Sequence, residues 1–167
     1  MKKLLVFAIA IIGFSVASFG QVISPPAEAT GNIVAAISIT KDANLNFGNI
    51  VAGPGGSVEL TTAGSRNPTG VTLAAGTVSA AKFIVTGEAN STFSISLPTT
   101  ITLALIGTPA ITMSVGTFTK AAVTGTLGTL NGITQEVLVG ATLTVGADQA
   151  RGIYQNLTDL KMTVNYN

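Results

Sequence analysis

Apolar side chains recur at every second position in short runs, and turn-forming residues separate those runs. Ile33, Ala35, Ile37 and Ile39 alternate in this way, as do Phe93, Ile95 and Leu97, then Ile111, Met113 and Val115, then Ala141, Leu143 and Val145. A period of two places alternate side chains on opposite faces of an extended chain, so each run predicts a half-buried strand. Between the runs stand Gly53-Pro54-Gly55-Gly56, Asn67-Pro68, Gly87-Glu88-Ala89-Asn90, Pro98 and the Gly-rich residues 125–132. These residues favour turns because Gly tolerates positive φ and Pro fixes φ. No sustained 3.6-residue period follows residue 21, and helical crossovers for a parallel sheet have no room between the runs. The expected fold is therefore an all-β, immunoglobulin-like antiparallel β-sandwich of about 8–10 short strands.

The strands are expected at residues 32–41, 45–50, 57–62, 71–73, 82–86, 92–97, 101–105, 111–118, 136–145 and 157–166. Residues 64–70 and 146–152 are expected to be loops, and 125–132 a hairpin region. In the last run Leu160, Met162, Val164 and Tyr166 share one face and predict a C-terminal core strand. Just before it, Gly152 and Tyr154 suggest a structural corner in which the tyrosine hydroxyl bonds to nearby backbone.

Composition agrees with strands. Charged residues are only 9% of the 167 positions, against roughly 25% in ordinary globular chains, while apolar residues are 47%. That excludes a disordered chain, which is poor in apolar residues and rich in charge. At the N-terminus Lys2 and Lys3 precede an uncharged apolar run over residues 4–16, and Ser18-Phe19-Gly20 offers small residues at the −3 and −1 positions. This is the pattern of a cleaved export signal over residues 1–20, with a flexible lead-in at 21–31 and one sandwich domain at 32–167. The apolar run is short for a membrane span, and no later run is long enough for one. Export to the periplasm, the cell surface or the extracellular space is expected. Without Lys2 and Lys3, six basic residues face seven acidic ones, for a net charge of −1. Such a balance gives no footprint for nucleic acid.

Reactive chemistry is scarce. The chain has no His and no Cys, which removes the commonest catalytic bases, nucleophiles and zinc ligands. Its carboxylates are widely spaced and form no calcium-loop pattern. No catalytic, cofactor or metal site is expected, and the chain is read as a non-enzyme. Gly53-Pro54-Gly55-Gly56 lacks the Lys-Ser/Thr of a phosphate loop. The sequons at Asn90 and Asn156 are read as chance matches in a Thr-rich sequence, and Lys82, Lys120 and Arg151 as solvated strand and loop residues.

Several motifs occur together in order: Leu45-Asn46-Phe47-Gly48-Asn49-Ile50, Phe83-Ile84-Val85-Thr86-Gly87, Phe93-Ser94-Ile95-Ser96-Leu97-Pro98, Val139-Gly140-Ala141-Thr142-Leu143, and Gly152-Ile153-Tyr154 with Val164-Asn165-Tyr166. The set resembles a secreted bacterial family, domain of unknown function 4402, over nearly all of the chain after the signal. More distantly, Leu45-Asn46-Phe47-Gly48 and the Gly152–Tyr154 and Thr163–Tyr166 segments are similar to spore coat protein U and the archaic chaperone–usher pilus subunits, although their cysteines are absent here. That likeness implies an immunoglobulin-like fold completed by a neighbour's N-terminal strand. Ile33, Ala35, Ile37 and Ile39 have the alternation such a donor or edge strand needs. The plainer reading of the same residues is the first strand of their own sandwich, since most first strands pair within their own domain. The expectation is a pilin- or coat-like surface subunit with self-association or other surface subunits as partners. A monomeric adhesin or carbohydrate-binding module is the alternative.

Overall fold

A computed structural model describes residues 20, 22–121 and 127–167. The export signal expected at 1–20 therefore lies outside the described residues, save for Gly20. The chain divides into two units, residues up to Ile33 and Val34–Asn167. In the first, the described residues carry no regular secondary structure. The second is all-β, and no helix occurs among the described residues.

Among the described residues thirteen strands follow in order: β1 Ser38–Ala43, β2 Asn49–Val51, β3 Gly56–Leu60, β4 Arg66–Thr69, β5 Thr72–Ala74, β6 Ala81–Thr86, β7 Thr92–Ser96, β8 Thr100–Leu105, β9 Thr108–Ala121, β10 Leu127–Thr129, β11 Thr134–Val145, β12 Tyr154–Gln155 and β13 Thr163–Tyr166. Every pairing among them is antiparallel. The main sheet runs β1-β6-β11-β9-β8-β12, with β3 and β4 attached along β11. A three-stranded sheet has the order β10-β7-β13, and β2 pairs with β5 in a third sheet. The result is a curled, sandwich-like fold.

Strand β11 is the spine. Val137, Val139, Ala141, Leu143 and Val145 alternate inward along it and are all buried. Its first half pairs with β6, from Thr134↔Thr86 to Val139↔Ala81, and its second half pairs with β3, from Ala141↔Leu60 to Val145↔Gly56. The change of partner falls at Gly140, where a Cβ would run into the Leu60 carbonyl. On the other side β9 pairs with β11 through a bulge that carries one extra β9 residue between Gly116 and Thr119, with Thr117 at φ 49°.

This split yields two adjoining cores. One joins β6 and the first half of β11 to β7, through Phe83, Val85, Phe93, Ile95, Val137 and Val139. The other gathers Phe47, Val58, Leu60, Val115, Leu143 and Val145. Leu45, Phe118 and Leu160 pack against both. Phe93, Val85 and Val137 are fully buried, and each such side chain contributes about 1.5–3 kcal/mol relative to exposure.

The strand boundaries differ from the sequence reading in several places: the run at 45–50 is a strand only over Asn49–Val51, that at 111–118 extends over Thr108–Ala121, Tyr154–Gln155 forms a short strand where none was expected, and four further differences have visible causes. The first strand begins at Ser38, not at 32, because its partner β6 ends at Thr86, opposite Ser38. Residues 66–69, expected as loop, form β4, which pairs with β3 alone, and an edge strand of this kind is where Pro68 is tolerated. The strand expected at 157–166 shrinks to Thr163–Tyr166, since the Asn156 side-chain oxygen captures the N–H groups of Thr158 and Asp159 at 3.0 and 2.8 Å and folds that stretch into a turn. Of the expected hairpin region, Leu127–Thr129 is a strand, and residues 125 and 126 lie outside the described residues.

Candidate functional site

The proposed donor residues divide between two environments. Ile37 and Ile39 are half-buried and pack against the core formed by β6, β7 and β11. Ala35 is exposed and Ile33 is 98% exposed, so the inward alternation stops where strand pairing stops. Strand β1 lies at the end of the main sheet with β6 as its one neighbour in the strand order, Ser38 facing Thr86 and Lys41 facing Phe83.

A small polar clamp holds the entry to this strand. The Ala35 N–H donates to Glu88 Oε2 at 2.9 Å, and its carbonyl accepts from the Tyr166 hydroxyl at 2.8 Å. The same hydroxyl oxygen accepts from the Glu88 N–H at 2.6 Å. Ala35 thus has both backbone groups satisfied by residues 53 and 131 positions away, without a ladder partner. At the other end of β1, Lys82 bridges Asp42 at 3.1 Å and Glu136 at 2.7 Å. The hydrogen bond to Glu136, then that to Asp42, raises the Lys82 ammonium above its ordinary range. Beyond β1, Asn46 and Ser79 exchange backbone hydrogen bonds at 2.8 and 3.0 Å, and the Ser79 hydroxyl donates to the Asn44 carbonyl at 2.7 Å. The strand is therefore pinned on its C-terminal side and clamped by side chains on its N-terminal side.

Residues of the C-terminal run meet the same core. Met162 is buried, while Leu160, Val164 and Tyr166 are half-buried and pack on it. Only Val164 and Tyr166 lie within β13. Gly152, at φ 149°, sits against the Leu105 side chain in a conformation that a side chain would strain. Two residues on, the Tyr154 hydroxyl donates to the Ala150 carbonyl at 2.7 Å and accepts from Gln149 Nε2 at 2.8 Å. Gln149 in turn accepts from the Gly146 N–H at 3.2 Å and donates to the Thr112 carbonyl at 3.3 Å.

Sequence reasoning missed Arg66. Its guanidinium donates to the carbonyls of Phe47 and Asn49 at 3.0 and 3.1 Å and of Ala74 at 3.1 Å, tying β4 to the β2–β5 sheet. The available signal was scarcity: Arg66 is one of two arginines in the chain, and a guanidinium offers a planar fork of donors able to reach several carbonyls at once.

A cleft of about 1060 Å³ opens over the inner face of the main sheet. Phe83, Ile101, Leu103, Met113, Val115 and Leu143 are among its lining residues, and the segments around β2 and β12 form its walls. Among the described residues no three His, Cys, Asp or Glu side chains gather closely enough to hold a metal ion. Nor is any helix among them long and apolar enough to cross a membrane.

These features define an antiparallel, sandwich-like all-β domain whose organised contacts lie at strand edges and a corner, beside a cleft of mixed polar and apolar lining. The family model described as Domain of unknown function (DUF4402) matches residues 37–166. The chain belongs to that family, and the match begins at Ile37, the first donor-run residue that packs into the core. No significant match to a curated protein or to a solved structure was found.

Proposed function

We propose that this chain is a non-enzymatic, exported structural subunit of a cell surface or extracellular assembly, and that copies join by exchange of the N-terminal strand. One observation carries the reading: a peripheral strand near the N-terminus fills its seat with alternating Ile37 and Ile39 and is closed by a clamp on Ala35. A seat of this kind accepts the same segment from a neighbour with the same hydrogen bonds and the same buried side chains. Exchange then costs little at equilibrium and is governed by how often the strand opens. The pins at Asn44, Asn46 and Ser79 put the pivot next to Ala43, where a register irregularity already interrupts β1 between Lys41 and Ala43.

The test is incorporation of a synthetic peptide. The chain without residues 1–20 is unfolded and refolded with an excess of fluorescent peptide covering residues 32–43. Fluorescence anisotropy rises as the peptide takes the β6 edge. A control peptide with Ile37→Asp and Ile39→Asp stays free. Equal behaviour of the two peptides contradicts the proposal.

A further inference from the structure

Apolar alternation alone leaves the β1 seat ambiguous. A one-residue slip turns every side chain of a strand to the other face, but a two-residue slip does not. Ile33, Ala35, Ile37 and Ile39 follow one period of two. A strand drawn back by two residues would therefore still offer Ala35 and Ile37 where Ile37 and Ile39 now pack. A foreign strand with a similar run would enter the seat on the same terms.

The charged end of β1 removes the ambiguity. Lys41 stands opposite Phe83 and Ala43 opposite Lys82, so two steps along β1 match one along β6, and Asp42 is the extra residue of a bulge. A bulge re-aims a side chain. Here Asp42 Oδ2 lies 3.1 Å from Lys82 Nζ, and the same ammonium holds Glu136 of β11 at 2.7 Å. Glu136 stays with the seat when β1 leaves, whereas Asp42 leaves with the strand. In the strand drawn back by two residues, Thr40 would take the place of Asp42 beside Lys82. In a strand advanced by two, Lys41 would take the half-buried place of Ile39, at the cost of desolvating an ammonium. The Lys82, Asp42 and Glu136 side chains are 30%, 48% and 49% exposed, so the pairing adds little to stability. Its effect is on selection, where repelling the wrong residue counts as much as attracting the right one.

We propose that Lys82 selects the strand that enters the β1 seat, admitting one with an acid three residues beyond its second inward isoleucine and rejecting one with a basic residue there. A second copy of this chain meets that requirement through Ile37, Ile39 and Asp42. The selection operates only if strands exchange as proposed above, and so rests on that reading. The test refolds the chain lacking residues 1–20 with fluorescent peptides of residues 32–43, one carrying Asp42 and one Asp42→Lys. The parent chain is expected to take up the Asp42 peptide at least about tenfold more tightly at low salt, a difference of about 1.4 kcal/mol. General attraction would act the other way, because the chain after residue 20 has six basic and seven acidic residues. In about 1 M salt the preference shrinks, since partly exposed charges are screened. Lys82→Gln, which keeps a polar side chain and removes the charge, loses the preference; if that variant does not fold, the two peptides and the salt series on the parent chain carry the test. Equal uptake of the two peptides by the parent chain, a preference unchanged by salt, or one undiminished in Lys82→Gln would overturn the assignment and leave strand exchange standing. Uptake of neither peptide would contradict strand exchange itself, and this selection with it.

Discussion

Tyr154 shows how single polar atoms hold a fold that has few charges. Its hydroxyl fastens the loop between β11 and β12 through Ala150 and Gln149, and Gln149 reaches on to Thr112 of β9. Tyr154→Phe removes both hydroxyl bonds while keeping the ring, and should lower stability by about 1–2 kcal/mol in urea unfolding. Asp159 is a second such point. Hydrogen bonds from Asn156 and Thr158 hold its carboxyl below the ordinary range, with a smaller contribution from Lys161. A lowered folded-state value means that the carboxylate adds stability above the unfolded value of about 3.9 and loses it as pH falls through the folded value. Asp159 is exposed, so the effect is small. Unfolding midpoints measured from pH 6 down to pH 2 should fall less steeply for Asp159→Asn than for the parent chain. The Lys82 ammonium has the opposite sign: its raised value stabilises at neutral pH and the benefit disappears only in strong alkali.

Among the elements, β11 carries the architecture, and its inward alternation was legible because Val137, Val139, Ala141, Leu143 and Val145 follow a period of two across both halves. What the sequence did not reveal is that two different neighbours share that strand. The reason is physical: alternation reports which face is buried, not which backbone lies alongside. Gly140 marks the change of neighbour, yet a glycine in a strand run suggests equally a bulge or a close approach. Gly140→Ala should destabilise the domain by more than about 2 kcal/mol, because the obstructing atoms are backbone of Leu60 and Thr61 and cannot swing away. Thermal or urea unfolding measures this directly, and a loss below about 0.5 kcal/mol would show that β3 can move aside. The missed strand β4 and the over-long final strand have equally local causes. Pro68 hid an edge strand that tolerates it, and Asn156 diverted two backbone N–H groups that a longer ladder would have used. The β1 seat was half legible: Ile37 and Ile39 announced themselves by spacing, while Glu88 and Tyr166, which clamp Ala35, lie far away in sequence, and the spacing of Tyr166 marked it only as a core-strand residue.

In the molecule as a whole, strand exchange requires that β1 detach and that its seat be open to a neighbour. The absence of cysteine from the chain makes this accessible to crosslinking. Thr40 and Ile84 are directly paired across β1 and β6, and their side chains lie outside the buried core. Opposed residues of antiparallel strands have Cα separations of about 4.5–5.5 Å, within the range a disulfide spans. The decisive measurement is non-reducing electrophoresis of the Thr40→Cys, Ile84→Cys double variant, oxidised after refolding at high protein concentration. Strand exchange predicts a ladder of covalent multimers that extends beyond the dimer, which a single variant, with one cysteine per chain, cannot form. A product that remains a crosslinked monomer at every concentration would contradict it.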